Sequence, residues 1–583
     1  MKRASLKSSA ISLGVQATCI AAGAAMLGAS APASAFSINA GNPDIDMRWD
    51  NTLSYTGAMR TSGRDSGINA NPALSADVAS DYFANKYGFY TSRFDLFSEF
   101  DFKYKKDSGF RISGAAWYDP LFPGHPKVGP GGFQNSPFGP STGSQGWPGS
   151  TKHFYSIGAE PLDAFAFTRF DLGNVPVNLK VGRTSQVWGE SMFGQVGGIN
   201  SVGYGQSPND GRKATQNPNA SLKETVLPIG QVDLNFNLTE NSNLSLFKTL
   251  EWRADRVPAS GTFYGFADGV AGAPNLFCAS NFCLPYLDPV EGQPRDWGVQ
   301  YKFRPGGMET TSLGVILRQF DEKAPWYGVW DPFGTPFGAA RSVYGRNTQL
   351  LGLTFNTNAW DISWAGEVSY RRNAALTADY SALATPGAGG ANTTIAPTDG
   401  PRGNTLHALF NMQAVYGKAL FWDTFTVAGE LAYNHLLKVT KNPQYFEGTG
   451  AGYAPVLCNL PAGAGGSGNR AVAGCANRSS MSLGLYLDPT IYQVFPSVDL
   501  EIPIFVSRDW GNSPLNGGGT DGATTISAGL KFTWNTAHGP QVFQLSYLGF
   551  RNKTSTQNAP GHNVLGAPYY DRDSVLFTYT TSF

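Results

Sequence analysis

Charge is scarce in this chain, and neither sign prevails. Only 15% of the 583 residues are charged, with 43 Lys and Arg against 43 Asp and Glu. A large soluble domain normally carries ~25% charged residues, and a nucleic-acid binder shows a basic surplus. Both classes are disfavoured. Long apolar runs are also missing after residue 35. No later stretch approaches ~18 consecutive apolar residues, which excludes a transmembrane helix there. Catalytic signatures are sparse too. The six histidines are His125, His153, His407, His435, His538 and His562. None forms a His-Glu-x-x-His pair, and no Gly-x-Ser-x-Gly elbow introduces a strand-to-helix turn. An enzyme is not expected, and neither a metal nor a cofactor is.

Aromatic residues and glycine are what the chain has in quantity: 38 Phe, 25 Tyr, 13 Trp and 70 Gly. Aromatic enrichment with low charge fits membrane strands ringed by girdles. Residues 1–35 read as a secretory signal peptide. Lys2, Arg3 and Lys7 make a basic start, an apolar run covers Ala10 to Leu27, and Ala33-Ser34-Ala35 is a small-residue cleavage site. The competing reading, a membrane-anchoring helix, lacks a stop-transfer pattern. Cys19 lies in the apolar run and leaves with it.

Four cysteines then remain, Cys278, Cys283, Cys458 and Cys475. An even number in an exported chain points to disulfides. Four cysteines allow three connectivities, of which the two local bridges, Cys278 with Cys283 and Cys458 with Cys475, are favoured. Each staples one Gly-rich loop. No His stands at ligand spacing beside either pair, which speaks against a metal.

Residues 36–583 read as one all-β domain, a transmembrane antiparallel up-and-down β-barrel with long extracellular loops. The ending is diagnostic: Val575, Phe577, Tyr579, Thr581 and Phe583 alternate with Ser574, Leu576, Thr578, Thr580 and Ser582. A period of two marks a strand. An aromatic terminal residue after such a strand makes Phe583 the candidate assembly signal for the barrel-assembly machinery. The same alternation recurs from Asp46 to Met59 onward, as strand, short turn, strand, long loop. A tight turn is placed at Lys106-Asp107-Ser108-Gly109 and another at Asn356-Thr357-Asn358. The tally is about 18 strands, with 16 as the rival count if the weak pair around Leu487 is one bent strand or a loop. A soluble β-sandwich alternates as well. Its rejection rests on the signal segment, the ending, and large Trp and Tyr at strand ends such as Trp360 and Tyr370.

If the apolar phase faces lipid, the polar phase faces the lumen. That phase includes Arg48, Asp50, Arg93, Asp95, Glu99, Asp101, Lys103, Arg111, Lys302, Arg304, Asp361, Glu367, Arg371, Glu430 and Lys531. Both signs occur, so no single-sign ring implies ion selectivity. The segment from Thr184 to Pro228 is the candidate constriction or plug. Arg183, Trp188 and Glu190 are its candidate lumen residues, with Arg183 and Glu190 able to pair at the mouth. The plainer reading is a strand end that anchors a loop.

The run Val181-Gly182-Arg183 through Trp188-Gly189-Glu190-Ser191 resembles a motif of the Gram-negative outer-membrane family catalogued as domain of unknown function 1302. Ser221 to Pro228, Leu250-Glu251-Trp252-Arg253 with Pro258 to Thr262, and Pro496 to Gly511 resemble it too. The family has Gln after Gly-Arg, where this chain has Thr184. The resemblance adds Glu251 and Arg253 to the lumen candidates but supplies no substrate-binding residue. It implies the outer membrane of a Gram-negative bacterium, contact with its lipid and lipopolysaccharide, and passive passage of a small hydrophobic organic compound of steroid, terpene or aromatic type. It further implies association with an inner-membrane exporter of the resistance-nodulation-division class. A non-transporting scaffold or docking partner of envelope export machinery is the alternative, with an outer-membrane hydrolase behind it.

Overall fold

A computed structural model describes residues 36–63, 85–122, 124, 147–194, 196–217, 220, 222–265, 275–279, 282–285, 287–330, 339–378, 400–449, 453, 475–537, 539–551 and 569–583. Among these, eighteen strand positions close into one antiparallel cylinder. In chain order they are β1 (Ile45–Arg60), β2 (Phe89–Tyr104), β3 (Ser108–Tyr118), β4 (Ile157–Leu172), β5 (Val175–Thr184), β6 (Ile229–Thr239), β7 (Ser242–Thr249), β8 (Trp297–Phe303) and β9 (Thr311–Phe320). The second half comprises β10 (Thr348–Ala359), β11 (Ile362–Ala375), β12 (Arg402–Tyr416), β13 (Thr424–Lys441), β14 (Ser479–Phe495), β15 (Val498–Glu501 with Ile504–Trp510), β16 (Thr524–Thr536), β17 (Gly539–Arg551) and β18 (Ser574–Ser582). Each strand pairs with its sequence neighbours, and β1 pairs with β18 to close the wall. The count of 18 therefore stands over 16. The weak region is a full pair whose alternation is masked by prolines: Pro489 lies within β14, and Pro503 splits β15. A proline cannot donate to the ladder, so it sits at such a break.

The two faces confirm the phase. Leu353, Val368, Phe410 and Leu545 point outward and are exposed, whereas Arg93, Asp95, Glu99, Glu367 and Glu430 are buried inside. Apolar groups outside and charged groups inside is the arrangement of a lipid-facing barrel and the reverse of a soluble sandwich. No helix of the described residues is long and apolar enough to cross a membrane.

Short turns join the strand pairs at one rim, and the strand ends that lead into the long connections are at the other. Two expected turns shift. The first is made by Lys105 and Lys106, at φ 49° and 64°. The second is made by Trp360 and Asp361, at φ 56° and 60°, and β10 keeps pairing through Asn356 to Ala359. The first is a three-residue loop between Tyr104 and Ser108, whereas the second is a two-residue hairpin between Ala359 and Ile362, whose twist positive φ at both central residues matches. Asp361 thus lies in a turn and not in the lumen phase. Trp360 occupies the tip, 87% exposed, where an amphipathic ring suits the membrane interface.

Phe583 closes the seam beyond β18, exchanging two backbone hydrogen bonds with Asn51 at 2.9 Å each. A short strand, Phe36–Ile38, pairs with Met47 to Trp49 on the same edge of β1. Two small hairpins lie among the long connections, Asn275–Ala279 with Phe282–Pro285 and Trp326–Trp330 with Ala339–Val343. In the first, Cys278 and Cys283 are backbone partners in register. Cys475 is buried and disulfide-bonded. Cys458 and residues 1–35 lie outside the described residues. Peptide mapping without reductant is expected to recover Cys278 linked to Cys283 and Cys458 linked to Cys475; crossed peptides would reject the local connectivity.

Candidate functional site

The connection between β5 and β6 does not lie over the rim. It turns into the cylinder. Gly189, at φ 107°, makes the turn: a Cβ there would lie 2.6 Å from Glu367 Oε1 and 2.7 Å from Ser201 Oγ. Only glycine tolerates both the angle and the approach. The chain then meets two wall carboxylates. Glu367 on β11 accepts the amides of Glu190 and Val202, the latter at 2.7 Å. Glu430 on β13 accepts the amides of Met192 and Phe193 and the hydroxyl of Ser191. A carboxylate that gathers several amides gives charge-assisted bonds and satisfies backbone donors removed from water.

Side chains complete the docking. Phe193 and Val196 pack against Ala428, Ala432, Tyr486 and Phe505 on the wall, with Phe193 edge-on to Phe505 at 5.2 Å. Asn200 meets His407 Nδ1 at 3.1 Å and Asn434 Nδ2 at 3.2 Å. Further along, Asp210 caps a short helix, Gly211–Gln216, by accepting the Lys213 amide at 3.0 Å. Gln216 Oε1 accepts from Arg93 of β2 at 2.8 Å, and Lys223 pairs with Glu99 of β2 at 2.7 Å. Strands β2 and β11 are nine positions apart in an eighteen-strand ring. The segment therefore spans the lumen from one wall to the opposite one.

The five lumen candidates separate into two groups. Trp188 and Glu190 lie inside. The Trp188 ring is edge-on to Phe247 at 5.0 Å, and its amide donates to Gln206 Oε1 at 2.8 Å. Glu190 pairs with Lys302 of β8 at 3.0 Å. Arg183, Glu251 and Arg253 stay half-buried at the loop-side rim, where the segment leaves and rejoins the wall. Arg183 bonds Glu251 Oε1 at 3.2 Å, and Glu251 Oε2 accepts the Gly230 amide at 2.9 Å. Arg253 donates to the Pro228 carbonyl at 3.3 Å. The expected Arg183–Glu190 pair does not form, because the turn at Gly189 carries Glu190 inward to a different cation. Trp188→Ala is expected to weaken docking of the segment by about 3–5 kcal/mol, the range for emptying a buried aromatic site. Faster hydrogen exchange across 186–206 with an unchanged barrel would show it, and unaltered exchange would refute it.

Sequence reasoning placed Glu367 and Glu430 only in the lumen phase, and it did not single out Arg318 or Asn411. A visible signal was their position among outward apolar neighbours, as in Leu317-Arg318. On the short-turn side of the segment, a cavity of about 290 Å³ remains, lined by Asp46, Arg48, Glu99, Asp101, Lys103, Arg111 and Lys223. Arg111 grips Asp101 with two bonds of 2.7 Å and also reaches Glu99 at 3.2 Å. The lining mixes both signs. Among the described residues, no group of three or more His, Cys, Asp or Glu is placed to hold a metal.

Fold and interior together define a membrane-type β-barrel with an inward-folded segment. The chain belongs to the family described as protein of unknown function DUF1302, which it matches over residues 16–583. Comparison with curated proteins finds no match. Similar solved structures include OccAB4 of Acinetobacter baumannii, at 8% identity over 93% of this chain and 100% of that one, with a TM-score of 0.40. OccK1 (OpdK) of Pseudomonas aeruginosa has 9% identity over 92% and 98%, with a TM-score of 0.39. The outer membrane channel DcaP of Acinetobacter baumannii has 9% identity over 92% and 97%, with a TM-score of 0.33. These likenesses are too remote to bear on function.

Proposed function

We propose that the protein is a passive outer-membrane channel of a Gram-negative bacterium for small organic compounds with an apolar body, steroid, terpene or aromatic in type. One observation carries this reading: a lipid-facing cylinder of eighteen strands whose charged interior is crossed by a docked segment. A barrel of this size is wide enough for an aqueous lumen wherever no segment fills it. Substrate would come in among the loops and pass Trp188, Glu190 and the mixed-charge cavity. The rim cluster of Arg183, Glu251 and Arg253 would hold the segment's neck. Purified protein in liposomes should pass such compounds faster than empty liposomes, and a barrel without flux of any solute tested would reject the channel.

The span of the segment from wall to wall favours one second reading, a non-transporting scaffold for envelope export machinery such as a resistance-nodulation-division system. Deletion of the gene distinguishes the two. A channel's loss slows growth on the transported compound; a scaffold's loss leaves uptake intact and removes a stable periplasmic partner from pull-downs. Phe583, at the seam, would serve the barrel-assembly machinery. Trimming it should lower the folded yield in the outer membrane severalfold, and a normal yield would count against that role.

A further inference from the structure

One sector of the wall is apolar on both faces. On the lumen side, Phe97 of β2, Ala115 and Trp117 of β3 and Leu162 of β4 form a buried patch. Their inward neighbours on β2 are charged: Arg93, Asp95 and Glu99. Two groups that do not belong to the wall cover the patch. Leu227 comes from the end of the inward segment, and Phe154 from a short helix, Gly149–Tyr155.

The lipid side of the same strands is hollow. Gly114, Ala116, Ala159 and Pro161 line a groove of about 740 Å³, with Trp49, Phe100 and Ile112 at its edge. Other lipid-facing positions carry larger groups, such as Leu353 and Phe410. Between the two apolar surfaces the ladder breaks. Ile112 pairs with Ala164 and Gly114 with Pro161, so Leu162 and Asp163 together oppose Ser113. This is a β-bulge at the centre of β3. Pro161 has no N–H to donate. The Asp163 amide donates to the Ser113 hydroxyl at 3.0 Å, so a side chain bridges the break. Parting two strands in lipid is costly because each freed backbone group goes unsatisfied. At this bulge fewer such groups are lost than in a regular ladder.

We propose that the bulge between β3 and β4 is a lateral port, through which an apolar compound leaves the lumen by way of the inner patch and the outer groove and enters the hydrocarbon core of the membrane. Withdrawal of Leu227 and Phe154 uncovers the patch. The strands part at the break, and the compound exchanges water for apolar contact along the way, the direction that hydrophobic transfer favours. The charged cavity lined by Asp101, Lys103 and Arg111 offers no such gain. This rests on the channel reading and gives its substrates an exit into lipid in place of the short-turn rim.

The test uses the full-length mature protein in vesicles with lipopolysaccharide in the outer leaflet. The probe is N-phenyl-1-naphthylamine, which fluoresces on entering lipid. Two disulfide locks flank the break: Ile112→Cys with Ala164→Cys, and Ala116→Cys with Ala159→Cys, each pair facing across the ladder. Mass spectrometry verifies the cross-link, and heat-modifiable mobility on gels verifies the fold. Oxidation of either lock is expected to slow probe transfer at least about tenfold. Ion conductance should stay at the parent's value, and dithiothreitol should restore transfer in the locked proteins without altering it in the parent. Ala159→Phe, which fills the groove without a cross-link, should slow transfer as well. Undiminished transfer in a verified oxidised lock overturns the port. So does a groove that merely holds bilayer lipid, seen as lipid lost from Ala159→Phe with transfer unchanged. The two readings fail separately: conductance with transfer that ignores the locks leaves the channel and sinks the port, whereas a parent that passes neither ions nor probe sinks the channel itself.

Discussion

Replacing residues 187–225 by a short Gly-Ser linker is expected to raise single-channel conductance by roughly tenfold or more, since an eighteen-strand cylinder emptied of its crossing segment holds an open water path. The wall should survive the change. Thr184 and Ile229 are direct partners across the ladder, so a few residues suffice to join β5 to β6. Glu367, Arg371 and Glu430 would exchange their buried partners for water. The segment also supplies Lys223 to the polar cavity, whose other lining residues come from β1, β2 and β3. Removing it should therefore widen the path along its whole length and flatten any preference among solutes. Planar-bilayer recording is the measurement. Conductance unchanged from that of the parent would mean that the constriction lies elsewhere.

The second large effect is expected at Glu430. Glu430→Ala withdraws the acceptor for two amides, the Ser191 hydroxyl and the Asn411 side chain. Leaving buried donors unsatisfied costs about 1–3 kcal/mol each, less whatever water recovers, so docking of residues 190–203 should weaken by roughly 2–5 kcal/mol. Exchange of those amides should accelerate while the β12 to β14 ladder stays protected, and current traces should flicker. Lys531→Ala provides the contrast. Its bond to Glu501, at 2.9 Å, lies where both side chains keep contact with solvent, and such a pair contributes about 1 kcal/mol or less. Equal exchange rates in the two variants would show that Glu430 anchors nothing.

The wall was legible residue by residue because its rule is local. Alternation along Phe94, Leu96, Asp95 and Glu99 depends only on which face a side chain occupies. Turns were less legible where no glycine marks them, and Trp360-Asp361 adopts positive φ with a residue type that rarely does so. The inward course of 185–228 could be suspected from its length and its glycines, but not its partners. Glu190 meets Lys302 across 112 positions of chain, and Met192 meets Glu430 across 238. No periodicity encodes such distances. Arg318 was hidden for the same reason: in sequence it is one more polar residue in a strand, and only the closed ring shows that the carbonyls of Val202 and Tyr204 receive it.

The seam has a bearing on synthesis. Thr52 and Ser582 touch across 530 residues, so β1, translated early, must wait for its final neighbour until the whole chain has been made. An unpaired strand edge invites wrong partners. Phe36–Ile38 doubles back along part of that same edge, at Met47 to Trp49. The chain thus carries its own lasting hem at residues 47 to 49, which leaves only the stretch from 52 to 60 as open border until the cylinder is sewn shut.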